Sequence, residues 1–148
     1  MIRILLATLH LLAFGIGLGA VWTRGHLMRA PGAGARLPAV FRADLLWGIA
    51  ALLWVSTGLW RWLGGIEKVS SYYTGNHIFL AKMGLFVLVV LLEMKPMMTL
   101  GTWRREAARG GTPDLRDALA LGTLSYLQAA ILLVMVVAAT AMARGYGA

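Results

Sequence analysis

Four long stretches of this chain are apolar almost without interruption, and short segments rich in glycine, proline and arginine separate them. They cover about residues 4–22, 41–63, 77–100 and 121–142, each close to the ~20 residues a helix needs to cross a bilayer. Lipid offers no partner to a bare backbone, so each stretch is predicted to be a helix. Pro31, Gly32, Gly34 and Pro38 break the chain after the first, Gly64, Gly65, Gly75 and Asn76 after the second, and Gly110, Gly111 and Pro113 after the third. Thr112 or Asp114 is placed to cap the fourth, with Pro113 suited to a first turn. The first stretch is longer than a signal-peptide core and holds His10 with Gly15, Gly17 and Gly19, so it reads as a retained helix. Gly15-x-x-x-Gly19 predicts close helix packing. The expected fold is all-α: an integral-membrane four-helix bundle forming one domain over residues 1–148.

Composition agrees with this pattern. Of 148 residues, 59% are hydrophobic and 14% charged, against about 25% charged in soluble domains. The absence of cysteine excludes disulfides, thiolate chemistry and c-type haem attachment. A formal charge of +8 could suit nucleic acid, but the basic residues flank apolar spans, where topology and anionic lipid explain them better. The partners expected are therefore the lipid bilayer and a homo-oligomer or larger membrane complex, with no nucleic acid. Arg24, Arg29, Arg36, Arg42, Lys95, Arg104, Arg105, Arg109 and Arg116 lie on one side of the bundle; Arg3, Arg61, Lys68 and Arg144 lie on the other. The positive-inside rule then predicts both termini and the 67–76 segment outside, in the periplasm of a Gram-negative cell, with the chain in the inner membrane.

Charges at membrane depth mark a site by default. The third stretch carries Lys82 and Glu93, eleven residues apart, which places them on one helical stripe roughly 16 Å apart along the axis. Phe86 and Val89 lie between them on that stripe. His10 enters its helix from the same side as Lys82, and both sit roughly 8–9 Å deep, so the two can line one outer-leaflet pocket. His10, Phe14, Gly17 and Val21 form one stripe; Trp47, Ala51, Trp54, Gly58 and Arg61 form another. A second polar cluster is expected at the cytoplasmic end, where Arg24, Arg42, Asp44 and Glu93 share a depth with Tyr126 and Gln128, either as a structural lock or as a proton network. The bland alternatives stand beside these: His10 bonded only to a neighbouring helix, Lys82 snorkelling outward, and Trp54 packing as core.

The segments LLATLHLLAFGIGLGAVWTR, FRADLLWGIAALLWVSTGLWR, EKVSSYYTGN and HIFLAKMGLFVLVVLLEMKPMMTL-x-x-WR resemble a family of small bacterial predicted membrane proteins, the domain of unknown function twenty-two-fourteen. More distantly, the His of the first span and the Ala-Lys pair opening a later one are similar to the haem-containing membrane protoporphyrinogen oxidase of bacteria. That resemblance implies haem b, with His10 as axial metal ligand, Lys82 as second ligand or propionate partner, and Trp54 as a cofactor-pocket wall. The aromatic and proline context that follows the first His in that family is missing here. Three readings follow: a haem-b protein with a redox role, hence an oxidoreductase; a cofactor-free accessory or scaffold protein; and a proton- or ion-coupled carrier that uses Lys82 and Glu93 as an oligomer.

Overall fold

A computed structural model describes residues 1–65 and 74–147. Four helices account for most of them: α1 (Ile2–Arg29), α2 (Leu37–Leu63), α3 (His77–Ala108) and α4 (Ala118–Ala143), with one 3₁₀ turn at Ala33–Arg36. No strand occurs among the described residues. All four helices are long and apolar enough to cross a membrane. The 67–76 loop, the EKVSSYYTGN segment and Lys68 fall wholly or partly outside the described residues.

Local chemistry sets the helix ends. Ala30 is extended (φ −74°, ψ 147°), as a residue before proline favours, and α1 stops there. Pro38 occupies the first turn of α2, where its missing N–H costs nothing. The buried Asn76 caps α3, its side-chain oxygen accepting from the Phe79 N–H at 3.0 Å. Its amide donates to the Tyr146 carbonyl at 3.1 Å, and the His77 N–H donates to the Gly147 carbonyl, so the C-terminal tail is fastened to the start of α3. Gly110, at φ 77°, ends α3 in the left-handed conformation that only glycine adopts cheaply.

Two expectations about helix ends are corrected. Asp114 does not cap α4, which begins at Ala118 after Asp117. The Asp114 carboxylate accepts instead from the Arg116 N–H at 3.1 Å and guanidinium at 2.6 Å, and that backbone bond, then the cation, hold its pKa below the usual carboxylate range. The third helix does not end near Leu100 but runs through Pro96 to Ala108. A proline in mid-helix removes one backbone donor, and Pro96 is fully buried.

α1 is the centre of the bundle. It packs along α2 on one side and α4 on the other, and α4 packs along α3. α2 and α3 have no such backbone approach and meet mainly through long side chains. One core cluster lies mid-bundle, around Ala13, Val21, Trp47, Trp54, Val89 and Leu132, and a second around Met28, Val40, Leu100, Trp103 and Leu121. The outer surface is studded with exposed Leu, Ile and Val, such as Leu52, Leu91 and Val137, which suits lipid as solvent and not water.

Close approach is made at glycines other than those expected. Gly15 and Gly19 face open space within the chain. The tight crossing is Gly25 against Gly122, where a Cβ on Gly122 would lie 2.6 Å from Arg29 Cγ and 3.0 Å from the Gly25 carbonyl oxygen. Gly122→Ala is therefore expected to force α1 and α4 apart and lower stability by about 1–3 kcal/mol in detergent unfolding. Gly19→Ala, on the open face, is the control and should change little.

Candidate functional site

The polar residues of the four spans gather at the two ends of the bundle. At the end opposite the chain termini, Arg24 is fully buried. A guanidinium carries five N–H donors, and here every one has an acceptor. Its Nε donates to Ser125 Oγ at 3.0 Å; Nη1 donates to Asp44 Oδ1 at 2.7 Å and Glu93 Oε1 at 2.8 Å; Nη2 donates to Glu93 Oε2 at 2.8 Å and Gln128 Oε1 at 2.9 Å. The Gln128 amide donates back to Glu93 Oε2 at 2.8 Å, and Arg104 Nη2 donates to Asp44 Oδ2 at 2.7 Å. The set holds two cations and two anions and takes a side chain from each of the four helices. It has no spare donor at its centre, so it reads as a structural lock whose charges cancel.

Arg24, Asp44 and Glu93 are thus brought together, and Arg42 is not. Arg42 is exposed, and the second cation on Asp44 is Arg104. Helical geometry gives the reason: residues i and i+2 point about 200° apart, so Arg42 cannot share the inward face of Asp44. Arg104 stands eleven residues after Glu93 and returns to its stripe. A helix ending near Leu100 would leave Arg104 in a loop, whereas a helix reaching Ala108 carries it back to the Glu93 stripe; Ser125 lies three residues before Gln128 on one face.

At the termini end, His10, Trp54 and Lys82 line one cavity of about 650 Å³, with Arg61, Phe14, Phe86 and Met135 among the other walls. All four helices contribute to its lining. Trp54 packs edge-on to both Phe14 and Phe86, with ring centroids 5.5 and 5.7 Å away. Lys82 Nζ lies 5.9 Å from the centre of the Phe79 ring. Gly58 gives His10 its room, since a Cβ there would lie 3.0 Å from His10 Cε1.

The hydrogen bonds of His10 to Trp54 and Thr57 assign its tautomer. Trp54 Nε1 donates to His10 Nε2 at 3.1 Å, and an indole N–H can only donate, so Nε2 is the bare, accepting nitrogen. Nδ1 then carries the proton of a neutral ring and donates to Thr57 Oγ1 at 3.0 Å. The Thr57 hydroxyl passes the chain on to the Leu53 carbonyl at 2.7 Å. Thr57 was not legible as a partner, although it stands three residues after Trp54 on the same face.

This arrangement bears on haem. An axial histidine ligates iron through a free lone pair, and the one lone pair of neutral His10 is taken by Trp54. The residues as placed do not fit haem b at His10. Among the described residues, no group of three or more His, Cys, Asp or Glu side chains converges as a metal centre.

The model of the family described as "Predicted membrane protein (DUF2214)" matches residues 2–147. No curated protein and no solved structure matches the chain at a significant level. The resemblance to protoporphyrinogen oxidase receives no support from these comparisons.

Proposed function

The chain belongs to that family of predicted membrane proteins, and on this premise we propose that it is a ligand-binding protein of the bacterial inner membrane, whose site is the cavity lined by all four helices at the termini end. The observation that carries the reading is the cavity itself. Its volume of about 650 Å³ lies within the ~300–1,000 Å³ usual for small-molecule sites. Like such sites, it joins apolar and aromatic walls to a few convergent polar groups, here His10, Lys82 and Arg61.

The test is saturable photolabelling in nanodiscs with a membrane-soluble diazirine probe. Labels are expected on residues 79–86 and 135–143, and Ala139→Trp, which fills the cavity from α4, should abolish them. Labelling spread evenly over the lipid-facing surface and insensitive to Ala139→Trp would overturn the reading.

The haem-b alternative draws on the same three residues but requires Trp54 to surrender His10 Nε2. Protein purified after haem-replete expression is expected to show no Soret band. A band present in the wild type and lost in His10→Ala would reinstate haem and an oxidoreductase role.

The uneven distribution of basic residues, nine against four, supports an orientation with both termini in the periplasm. A reporter fused after Ala148 should be active only as a periplasmic reporter.

A further inference from the structure

Lys82 lines the cavity from the second turn of α3. Its ammonium offers three donors and no acceptor. Among the described residues it donates no hydrogen bond and forms no ion pair; its contact is the Phe79 ring, whose centre lies 5.9 Å from Nζ. Other polar groups on the cavity side are already engaged. The Trp54 N–H is spent on His10 Nε2, His10 Nδ1 on Thr57, and the Thr140 hydroxyl proton on the Val136 carbonyl. A basic group at membrane depth marks a site with a partner, and a ligand that satisfies Lys82 must bring the acceptor.

The surroundings of the amine narrow the kind of acceptor. Phe79 stands three residues before Lys82 and Phe86 four residues after it, so both are its neighbours on one face of α3. Phe86 packs edge-on to Trp54, and Trp54 edge-on to Phe14. One helical turn is about 5.4 Å, so the aromatic walls begin within a turn of the amine. Aromatic walls offer edge and offset-stacking contacts to a flat ring that they do not offer to an alkyl chain. The ligand that matches carries its acceptor directly on a flat apolar ring. Leu11, Leu59 and Val136 also line the cavity and are exposed, so a long apolar tail on that ring has a way out into lipid.

We propose that the occupant is a membrane quinone, one ring carbonyl accepting from Lys82 Nζ and the ring lying among Phe14, Trp54 and Phe86. This rests on the reading of the cavity as a binding site and adds the chemical class of the ligand. A quinone oxygen accepts and cannot donate, which complements a side chain that can only donate. The reduced quinol carries two hydroxyl protons that need acceptors of their own, and the His10 Nε2 lone pair is already taken by Trp54. The site therefore prefers the oxidised form.

The experiment is competition against the neutral diazirine probe in phosphatidylcholine nanodiscs, read as label on residues 79–86 and 135–143. Decylubiquinone should displace the probe at about tenfold lower concentration than decylbenzene, which has a ring and tail without the carbonyls. Decylubiquinol, kept reduced under anaerobic conditions, should fall between the two. Lys82→Met should erase the advantage of the quinone while decylbenzene still competes as in the wild type, which also shows that the variant is folded. Lys82→Arg, which keeps donors at that position, should keep most of the advantage. Should Lys82→Met lose the label altogether, the wild-type ratio and Lys82→Arg decide. Equal displacement by decylubiquinone and decylbenzene, or a quinone advantage that survives in a folded Lys82→Met, overturns the proposal and leaves the cavity as a site for other apolar ligands. Displacement by palmitate at concentrations equal to or below those of decylubiquinone also overturns it and assigns the head as an anion. Absence of label on the cavity peptides with the probe alone overturns the binding-site reading itself.

Discussion

Arg24→Met is expected to lower unfolding stability by about 3–5 kcal/mol, measured as the shift of the unfolding midpoint in mixed detergent. The substitution keeps the length and bulk of the stem, so little of the loss comes from packing. It removes five hydrogen bonds at once, but bond number is not the main cause. Neutral hydrogen bonds between membrane helices average only about 0.6 kcal/mol, because the unfolded chain in the membrane also finds partners. Ser125→Ala deletes a bond from the charged guanidinium and leaves the buried Arg24 Nε–H without its acceptor, so it should cost more than a neutral bond, about 1–3 kcal/mol, and still less than Arg24→Met. The large term is charge. Without Arg24, Glu93 keeps only the Gln128 amide for its carboxylate, and Asp44 keeps only Arg104. A carboxylate left in low dielectric without its cation is worse than no carboxylate at all. Adding Glu93→Gln to Arg24→Met should therefore recover a substantial part of the loss. If the double variant is no more stable than Arg24→Met alone, the stranded-charge explanation fails.

The contrast between one arginine and one serine also explains what could be read in the sequence. Hydropathy located all four helices because lipid exposure acts on every residue of a span. It did not locate their ends, since a helix continues wherever its backbone bonds do, and α3 keeps them past Pro96 and out to Ala108. Charged residues at membrane depth were conspicuous, so Arg24, Asp44, Glu93, His10 and Lys82 stood out. Their partners did not. Ser125 and Thr57 each bond a carbonyl one turn back, at Leu121 and Leu53, and such hydroxyls look ordinary in any helix. The close approach of Gly25 to Gly122 was equally hidden, because it joins residues 97 positions apart. The spacing Gly15-x-x-x-Gly19 was conspicuous, yet both glycines lie on the open face. Spacing within one helix gives a face, and only the neighbouring helix decides whether that face is used.

The assignment of Arg104 in place of Arg42 gives the second large effect. Asp44→Ala should destabilise by about 3 kcal/mol, since it leaves Arg24 Nη1 one acceptor short and strips Arg104 of its carboxylate. The two cations do not share that loss equally. The Arg24 side chain has no exposure and Arg104 is 38% exposed, so Arg104 released from Asp44 can turn to water or lipid headgroups while Arg24 cannot. A double-mutant cycle separates these contributions, because contacting pairs couple and distant ones add. Asp44→Ala with Arg104→Met should show a coupling of about 0.5–2 kcal/mol, reduced by the partial exposure of the arginine. The Arg104 bond to the Phe41 carbonyl, at 2.9 Å, is lost in the single and the double variant alike and cancels from the cycle. Asp44→Ala with Arg42→Met should be additive within about 0.5 kcal/mol, because Arg42 points away from the carboxylate. Coupling to Arg42 and none to Arg104 would mean that α3 does not extend past the membrane as a helix, and the fourth charge of the lock would have to be reassigned.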